Sequence, residues 1–231
     1  MKNIFLVDAD DTILDFHASA FAAIEYAFVK NGVEWKEEYV AEYIKINDGL
    51  WSALERKELT RETLMEQRFP IFLKHIGYDN VDGAACNRAY IDYLSTHPVY
   101  MDGAEDFLKE LRKMGKIYIV TNGTSYIQES RFSICRLNEY VDGIFISEYV
   151  GCDKPATAFS EYVYARIPQF DKNRAIWIGD SLSADIRCAN NSFVDSIWLN
   201  PKEKPLTNVA KPDYVAKNFG EILKILKGIS K

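Results

Sequence analysis

The hydrophobic and polar positions of this chain change period along its length. Ile4-Phe5-Leu6-Val7 is an unbroken apolar run that ends on Asp8-Ala9-Asp10-Asp11-Thr12. Such a run predicts a strand buried on both faces, with carboxylates delivered at its C-terminal end. Phe16, Ala20, Ala23, Ile24, Ala27 and Phe28 then recur at three- and four-residue spacing, which predicts an amphipathic helix stopping near Asn31-Gly32. Further helical text covers Glu37 to Ile46, Arg61 to about His75 behind the cap Thr60, and Gly83 to Leu94 behind the cap Asp82. Asn47-Asp48-Gly49 and Gly77-Tyr78-Asp79-Asn80 read as loops between these helices. From the end of the first strand to Pro98 nothing reads as a strand.

Beyond Pro98 the periods alternate. Ala104 to Met114 predicts a helix closed by Gly115, and Ile117-Tyr118-Ile119-Val120 a strand ending on Thr121-Asn122-Gly123. A helix from about Ser125 to Leu137 leads to the strand Ile144 to Ser147, and the loop Val150 to Pro155 opens a helix from about Ala156 to Arg166. The strand Ala175 to Ile178 ends on Gly179-Asp180, followed by a helix to about Asn190, strands at 196–199 and 214–216, and a last amphipathic helix through Ile229. Strands alternating with helices predict an α/β fold with a parallel sheet and right-handed crossovers. The helical stretch reads as a module inserted after its first strand.

Composition narrows the function. At 231 residues, 48% apolar, the chain can bury a large core, and its net charge of -6 gives no electrostatic footprint for a nucleic-acid polymer or an anionic membrane. A small-molecule partner is the better expectation. Cys86, Cys135, Cys152 and Cys188 have neither paired nor metal-like spacing, so they are expected to be reduced thiols. No apolar run approaches the roughly 18 residues of a membrane helix, and the first strand leaves no room for a signal peptide. The expected location is therefore cytoplasmic. The oligomeric state has no signature in the pattern.

The candidate chemistry lies at strand ends. Asp8 and Asp10 follow the first strand, Thr121 and Asn122 the second; Lys154 lies in the loop after the third, and Asp180 and Asp185 follow the fourth. A parallel sheet brings all these ends to one edge. Alternation gives Asp8 and Asp10 a shared direction, and two carboxylates about 4 Å apart at an effective dielectric near 20 repel by on the order of 4 kcal/mol. A cation or proton must compensate. Asp8 and Asp180 with a backbone carbonyl offer the hard oxygen ligands of Mg²⁺, while Lys154, Thr121 and backbone N–H groups after Gly123 suit a phosphoryl group. Each residue taken alone has a plainer reading: Lys154 as a solvated lysine, Asp180 and Asp185 as helix caps, Asp11 as a turn acid.

Asp8-Ala9-Asp10-Asp11-Thr12, Thr121, Lys154-Pro155 and Gly179-Asp180 through Asp185 resemble, in order and interval, the four motifs of the haloacid dehalogenase superfamily phosphatases. The resemblance spans the chain and implies a Rossmann-like parallel sheet with helices on both faces, formed by residues 1–14 and 99–231. Residues 15–98 look like the inserted all-helical cap of one branch. Leu50-Trp51, Glu55, Leu59-Thr60, Leu64 and Arg68-Phe69 resemble the bacterial pyrimidine 5′-nucleotidases within that branch. What the resemblance implies is a phosphomonoesterase in which Asp8 is the nucleophile and Asp10 the general acid and base. Thr121, Asn122 and Lys154 would bind phosphate, and Mg²⁺ would sit among Asp8, the Asp10 main-chain carbonyl and Asp180. Asp185 would orient Lys154 or a metal-bound water. Trp51 and Arg68 are candidate substrate contacts, although an aromatic at helical spacing is more often core.

Two other readings stay open. A sugar-phosphate phosphatase or phosphomutase would share these motifs. A phospho-accepting signalling switch would also place acids, a Thr and a Lys on a parallel sheet, but in little more than half the length and with its phospho-accepting Asp on a later strand. A dinucleotide-binding oxidoreductase lacks its G-x-G-x-x-G after the first strand.

Overall fold

The computed structural model describes residues 1–229. β1 (Ile4–Val7) is followed by four helices, α1 (Phe16–Lys30), α2 (Glu38–Glu55), α3 (Arg61–His75) and α4 (Gly83–Thr96). Alternation then begins with α5 (Ala104–Met114), β2 (Lys116–Thr121), α6 (Ser125–Ile134), β3 (Gly143–Ile146), α7 (Ser147–Val150) and α8 (Thr157–Arg166). It continues through β4 (Ala175–Gly179), a π-helical turn (Leu182–Ile186), α9 (Arg187–Ser192), β5 (Asp195–Leu199), β6 (Tyr214–Ala216) and α10 (Phe219–Ile229). The chain packs as two compact units, one of residues 1–15 and 99 onward, the other of Phe16–Pro98.

In the first unit the six strands form one sheet in the order β3-β2-β1-β4-β5-β6, every neighbouring pair parallel. β1 is central because its apolar run can be buried on both sides. Phe5, Val7, Ile117, Ile119, Ile176 and Ile178 join Phe107 and Leu111 of α5 and Ile222 and Leu226 of α10 in one layer. The alternate residues Ile4, Leu6, Val120 and Trp177 join Phe159 and Val163 of α8 and Cys188 of α9 in the other. This is the period of two expected of strands. Full burial of each large side chain contributes about 1.5–3 kcal/mol, so the two layers fix the strand register firmly. Val7 pairs with Ile119 and Ile178, which puts Asp8 level with Val120 and Gly179, one position before Thr121 and Asp180. The Asp8 N–H donates to the Ile178 carbonyl at 2.9 Å, so that register extends to the first carboxylate.

The second unit has a core of its own. Phe28 of α1 stacks on Phe72 of α3 with centroids 5.5 Å apart, and Tyr43 of α2 lies 5.1 Å from Phe69 and 5.5 Å from Tyr90. The predicted caps form: Thr60 Oγ1 accepts from the Thr63 N–H at 3.1 Å, and Asp82 Oδ1 accepts from those of Ala84 and Ala85 at 2.9 and 3.1 Å.

Several boundaries differ from the sequence reading. The expected loop at Asn47-Asp48-Gly49 is helical, because α2 runs unbroken from Glu38 to Glu55. Asn47 continues the buried stripe of Tyr39, Val40 and Tyr43, while Asp48 and Gly49 fall on the exposed face, so packing overrides their turn propensity. The helix expected to reach Leu137 stops at Ile134, and Arg136 then adopts a left-handed backbone at φ 53°. Ser147, expected to close β3, instead opens α7.

Phe72→Ala removes a fully buried ring bordered by those of Phe28, Tyr39 and Tyr43, and it should destabilise the helical unit by about 3–5 kcal/mol. Urea unfolding measures this directly; a loss below about 1 kcal/mol would show that the aromatic cluster does not hold that unit together.

Candidate functional site

The edge of the sheet at the strand C-termini collects the acidic residues. Asp8 is 7% exposed, directly after β1. Beyond it the chain turns sharply: Asp11 takes a left-handed backbone at φ 56°, and the N–H groups of Ile13 and Leu14 return to the Ala9 carbonyl at 2.8 and 2.9 Å. Thr12 Oγ1 then reaches back to Asp8 Oδ2 at 3.3 Å. Asp185 lies on the π-helical turn after β4, a local irregularity that often marks a functional position. A Cβ on Gly179 would stand 2.3 Å from Asp185 Oδ2, so the bare glycine is what admits that carboxylate.

Lys154 binds these acids together. Its ammonium donates to Asp8 Oδ1 at 2.6 Å, Asp185 Oδ1 at 2.7 Å and the Val120 carbonyl at 2.8 Å, and the residue is 1% exposed. Those three bonds use all three of its N–H donors. Burial opposes charge on Lys154, yet Asp185 and Asp8 together outweigh it and raise its pKa above the ordinary lysine range. It is a cation held among anions. Asn122 anchors the loop that carries it: its side-chain amide donates to the Lys154 carbonyl at 2.9 Å and accepts from the Lys154 N–H at 2.8 Å.

One lysine does not neutralise the cluster. Carboxylate oxygens of Asp8, Asp180 and Asp185 all lie within 4.8 Å of one another. Burial, then the charge of Asp185, push the Asp8 carboxyl up to about 8, against the pull of Lys154. Burial and the charges of Asp185 and Asp8 also raise Asp180 well above the ordinary range. Asp180 is further oriented through its backbone, where its carbonyl accepts from Trp198 Nε1 at 2.8 Å. The cluster has the composition and the excess negative charge to hold a divalent cation.

Thr121 and Asp10 form the other half of the site. Thr121 Oγ1, 1% exposed, accepts from the Gly123 N–H at 3.0 Å and from Gln128 Nε2 at 2.9 Å. Asp10 is held by two side chains from α6: Gln128 Nε2 at 2.7 Å and Arg131 Nη1 at 2.5 Å. The sequence reading missed Gln128 and Arg131. They lie three residues apart on the helix that follows Thr121-Asn122-Gly123, the one spacing that could have flagged them as a pair.

Trp51 and Arg68 belong to the helical unit. Arg68 is 3% exposed, donates through Nε to Asn87 Oδ1 at 2.7 Å and stacks 4.7 Å from the Tyr90 ring centroid. Trp51 is half-buried, with the Arg61 guanidinium 5.3 Å from its ring centroid. His17, His75 and His97, given no role by the sequence, are absent from the acidic cluster. Among the described residues no helix is long and apolar enough to cross a membrane.

Comparison with known proteins finds relatives along nearly the whole chain. The family model of haloacid dehalogenase-like hydrolases matches residues 2–192. The HAD-hydrolase YfnB of Bacillus subtilis is 37% identical over 96% of this chain and 94% of its own length. The pyrimidine 5′-nucleotidase PynA of Streptococcus pneumoniae is 33% identical over 96% of this chain and 93% of its own. A crystal structure of YfnB bound to magnesium superposes with a TM-score of 0.92 at 36% identity, covering 97% of this chain and 98% of that one.

Lys154→Met removes the only side-chain cation that touches Asp8 and Asp185 among the described residues. Breaking a buried ion pair from one side costs about 3–5 kcal/mol, and a loss of that size is expected in urea unfolding. Unchanged stability would mean that the carboxylates need no cation.

Proposed function

Because this chain belongs to the haloacid dehalogenase-like hydrolases, we propose that it is a Mg²⁺-dependent phosphomonoesterase whose preferred substrates are nucleoside 5′-monophosphates. The observation that carries the reading is the cluster of Asp8, Asp180 and Asp185, with buried Lys154 bonded to Asp8 and Asp185 and an acid at position 10 beside it. The pyrimidine 5′-nucleotidase PynA, similar over nearly the whole chain, supports the choice of substrate.

The cluster suits Mg²⁺. Its donors are carboxylate oxygens, with neither imidazole nor thiolate to favour a softer metal, and burial, then the charge of Asp185, raises the Asp8 and Asp180 carboxyls, a cost that a bound cation would offset. Asp8, Asp180 and the Asp10 main-chain carbonyl would hold the ion, which would screen the carboxylates from the incoming phosphate and stabilise charge on its oxygens.

The chain's own groups account for the rest. Asp8 attacks phosphorus in line while Lys154 keeps one of its oxygens fixed, and the P–O bond to the leaving alcohol breaks. Asp10 gives its proton to that alcohol oxygen. It then takes a proton from the water that hydrolyses the aspartyl-phosphate, returning Asp8 to its starting state. The Thr121 hydroxyl stabilises the equatorial oxygens of the transferring group. Lys154 acts through Asp8, since all three of its donors are already engaged. Asp185 keeps Lys154 in place, itself fixed by the Ser181 N–H at 3.0 Å. The helical unit, 16–98, is the cap of this enzyme.

Asp8→Asn should abolish turnover while circular dichroism stays native, and substantial residual phosphatase activity would remove Asp8 as the nucleophile. A substrate panel with Mg²⁺ should rank nucleoside 5′-monophosphates above sugar phosphates in kcat/KM; the reverse order would transfer the assignment to sugar phosphates. Chelation should stop the reaction. Mg²⁺ at 100 times its dissociation constant should stabilise the fold by about 2.7 kcal/mol, visible as a raised Tm that Asp180→Asn loses. A folded-state carboxyl raised to about 8 binds a proton that the metal must displace, so the Mg²⁺-induced rise in Tm should grow as pH increases toward that value. A rise that shrinks with pH would contradict binding at these carboxylates.

A further inference from the structure

We propose that Gln128 and Arg131 of α6 are positioning residues for the proton transfer, acting together to fix the carboxylate of Asp10 and to set the Thr121 hydroxyl as a hydrogen-bond donor. The inference rests on the reading of Asp10 as the general acid.

The directions of these hydrogen bonds follow from elimination. Arg131 can only donate, and a carboxylate can only accept, so the Gln128 amide between them has one possible orientation. Its Oε1 accepts from Arg131 Nη1 at 3.0 Å and its Nε2 donates to Asp10 Oδ2 at 2.7 Å. The second hydrogen on Nε2 goes to Thr121 Oγ1 at 2.9 Å. That oxygen also accepts from the Gly123 N–H at 3.0 Å, so both of its lone pairs are used. Its own proton must therefore point to another acceptor, the polarity a phosphoryl oxygen requires. Gln128 orders Thr121 and Asp10 at once.

Arg131 completes the grip. Nη1 divides its two hydrogens between Gln128 Oε1 and Asp10 Oδ1, so each Asp10 oxygen is held by a different side chain and the carboxylate plane cannot rotate freely. Each oxygen keeps a second lone pair, and 28% of the Asp10 side chain stays exposed, which leaves it a face from which to deliver a proton.

Two further observations separate this arrangement from ordinary packing. Arg131 is 1% exposed, yet its Nε and Nη2 have no hydrogen-bond partner. A guanidinium buried at that cost is a poor device for stability. A Cβ on Gly123 would stand 2.3 Å from Gln128 Nε2, so the glycine after Asn122 provides the space through which Gln128 reaches Thr121 and Asp10.

Leaving-group chemistry isolates the function. When the P–O bond of an alkyl phosphate breaks, the departing oxygen is a strong base and needs the proton of Asp10. p-Nitrophenolate leaves as a stable anion and does not. The test compares kcat/KM for a nucleoside 5′-monophosphate and for p-nitrophenyl phosphate in Gln128→Leu, Arg131→Met and Arg131→Lys, with Asp10→Asn as the reference and Tm as the control for folding. General acid catalysis is worth about 10²–10⁴-fold, so Gln128→Leu and Arg131→Met should each lose at least about 10-fold more on the alkyl ester than on the aryl ester, with Arg131→Lys recovering part of it. Equal losses on both esters in the folded variants, or no loss, would overturn the proposal. If Asp10→Asn shows the split and the α6 variants do not, positioning alone fails; if Asp10→Asn shows none, the general-acid reading fails and this inference falls with it. Should Arg131→Met not fold, Gln128→Leu and Arg131→Lys decide the matter by the same ratio.

Discussion

The ammonium of Lys154, clasped between Asp8 and Asp185 in the dry edge of the sheet, sets the terms for the rest of this structure. Those residues are separated by 146 and 31 positions in sequence, and only a parallel sheet with its strand ends in register can bring them within 2.7 Å of one nitrogen. Such a constellation does not stabilise the fold that builds it. Desolvating the charges costs several kcal/mol per ion, and their attraction returns that only when every donor and acceptor is satisfied. The Lys154 donors are satisfied; the surplus carboxylate charge is not. The stability of the first unit has to come from the two apolar layers on either side of β1, where Phe5, Leu6 and Val7 are fully buried.

That division explains what could be read from the sequence. Short apolar runs ending on polar residues located the strands, because a central parallel strand has no solvent face and its pattern has no other cause. Residues at strand ends were legible for the same reason: Asp8, Thr121 and Asp180 each interrupt a run where burial would otherwise demand an apolar side chain. Gln128 and Arg131 were not legible. A polar residue on a helix looks like a solvated face, and nothing local distinguishes Arg131, which is buried, from Arg136, which is exposed. Asn47 hid in the opposite way, as turn chemistry inside a stripe that only packing reveals to be continuous.

Residue types could be recovered from the sequence where contacts could not. The resemblance implied phosphate binding by Lys154 and Asn122; what the structure adds is the bonds they make within the chain, from Lys154 to Asp8, Asp185 and a backbone carbonyl, and between Asn122 and the Lys154 backbone.

Thr121-Asn122-Gly123 is where the two halves of the cluster meet. Three consecutive residues at the end of β2 make connections in three directions: Thr121 Oγ1 accepts from Gln128, Asn122 ties down the loop of Lys154, and Gly123 leaves room for the Gln128 side chain. β2 lies directly beside β1, so displacement of this triplet would disturb the partners of Asp8 and Asp10 together. Asp8 and Asp10 are then not independent features that happen to share a sheet edge. They are held by the two sides of one turn, and the rigidity of that turn derives from β2, whose residues Ile117, Ile119 and Val120 have no exposed surface.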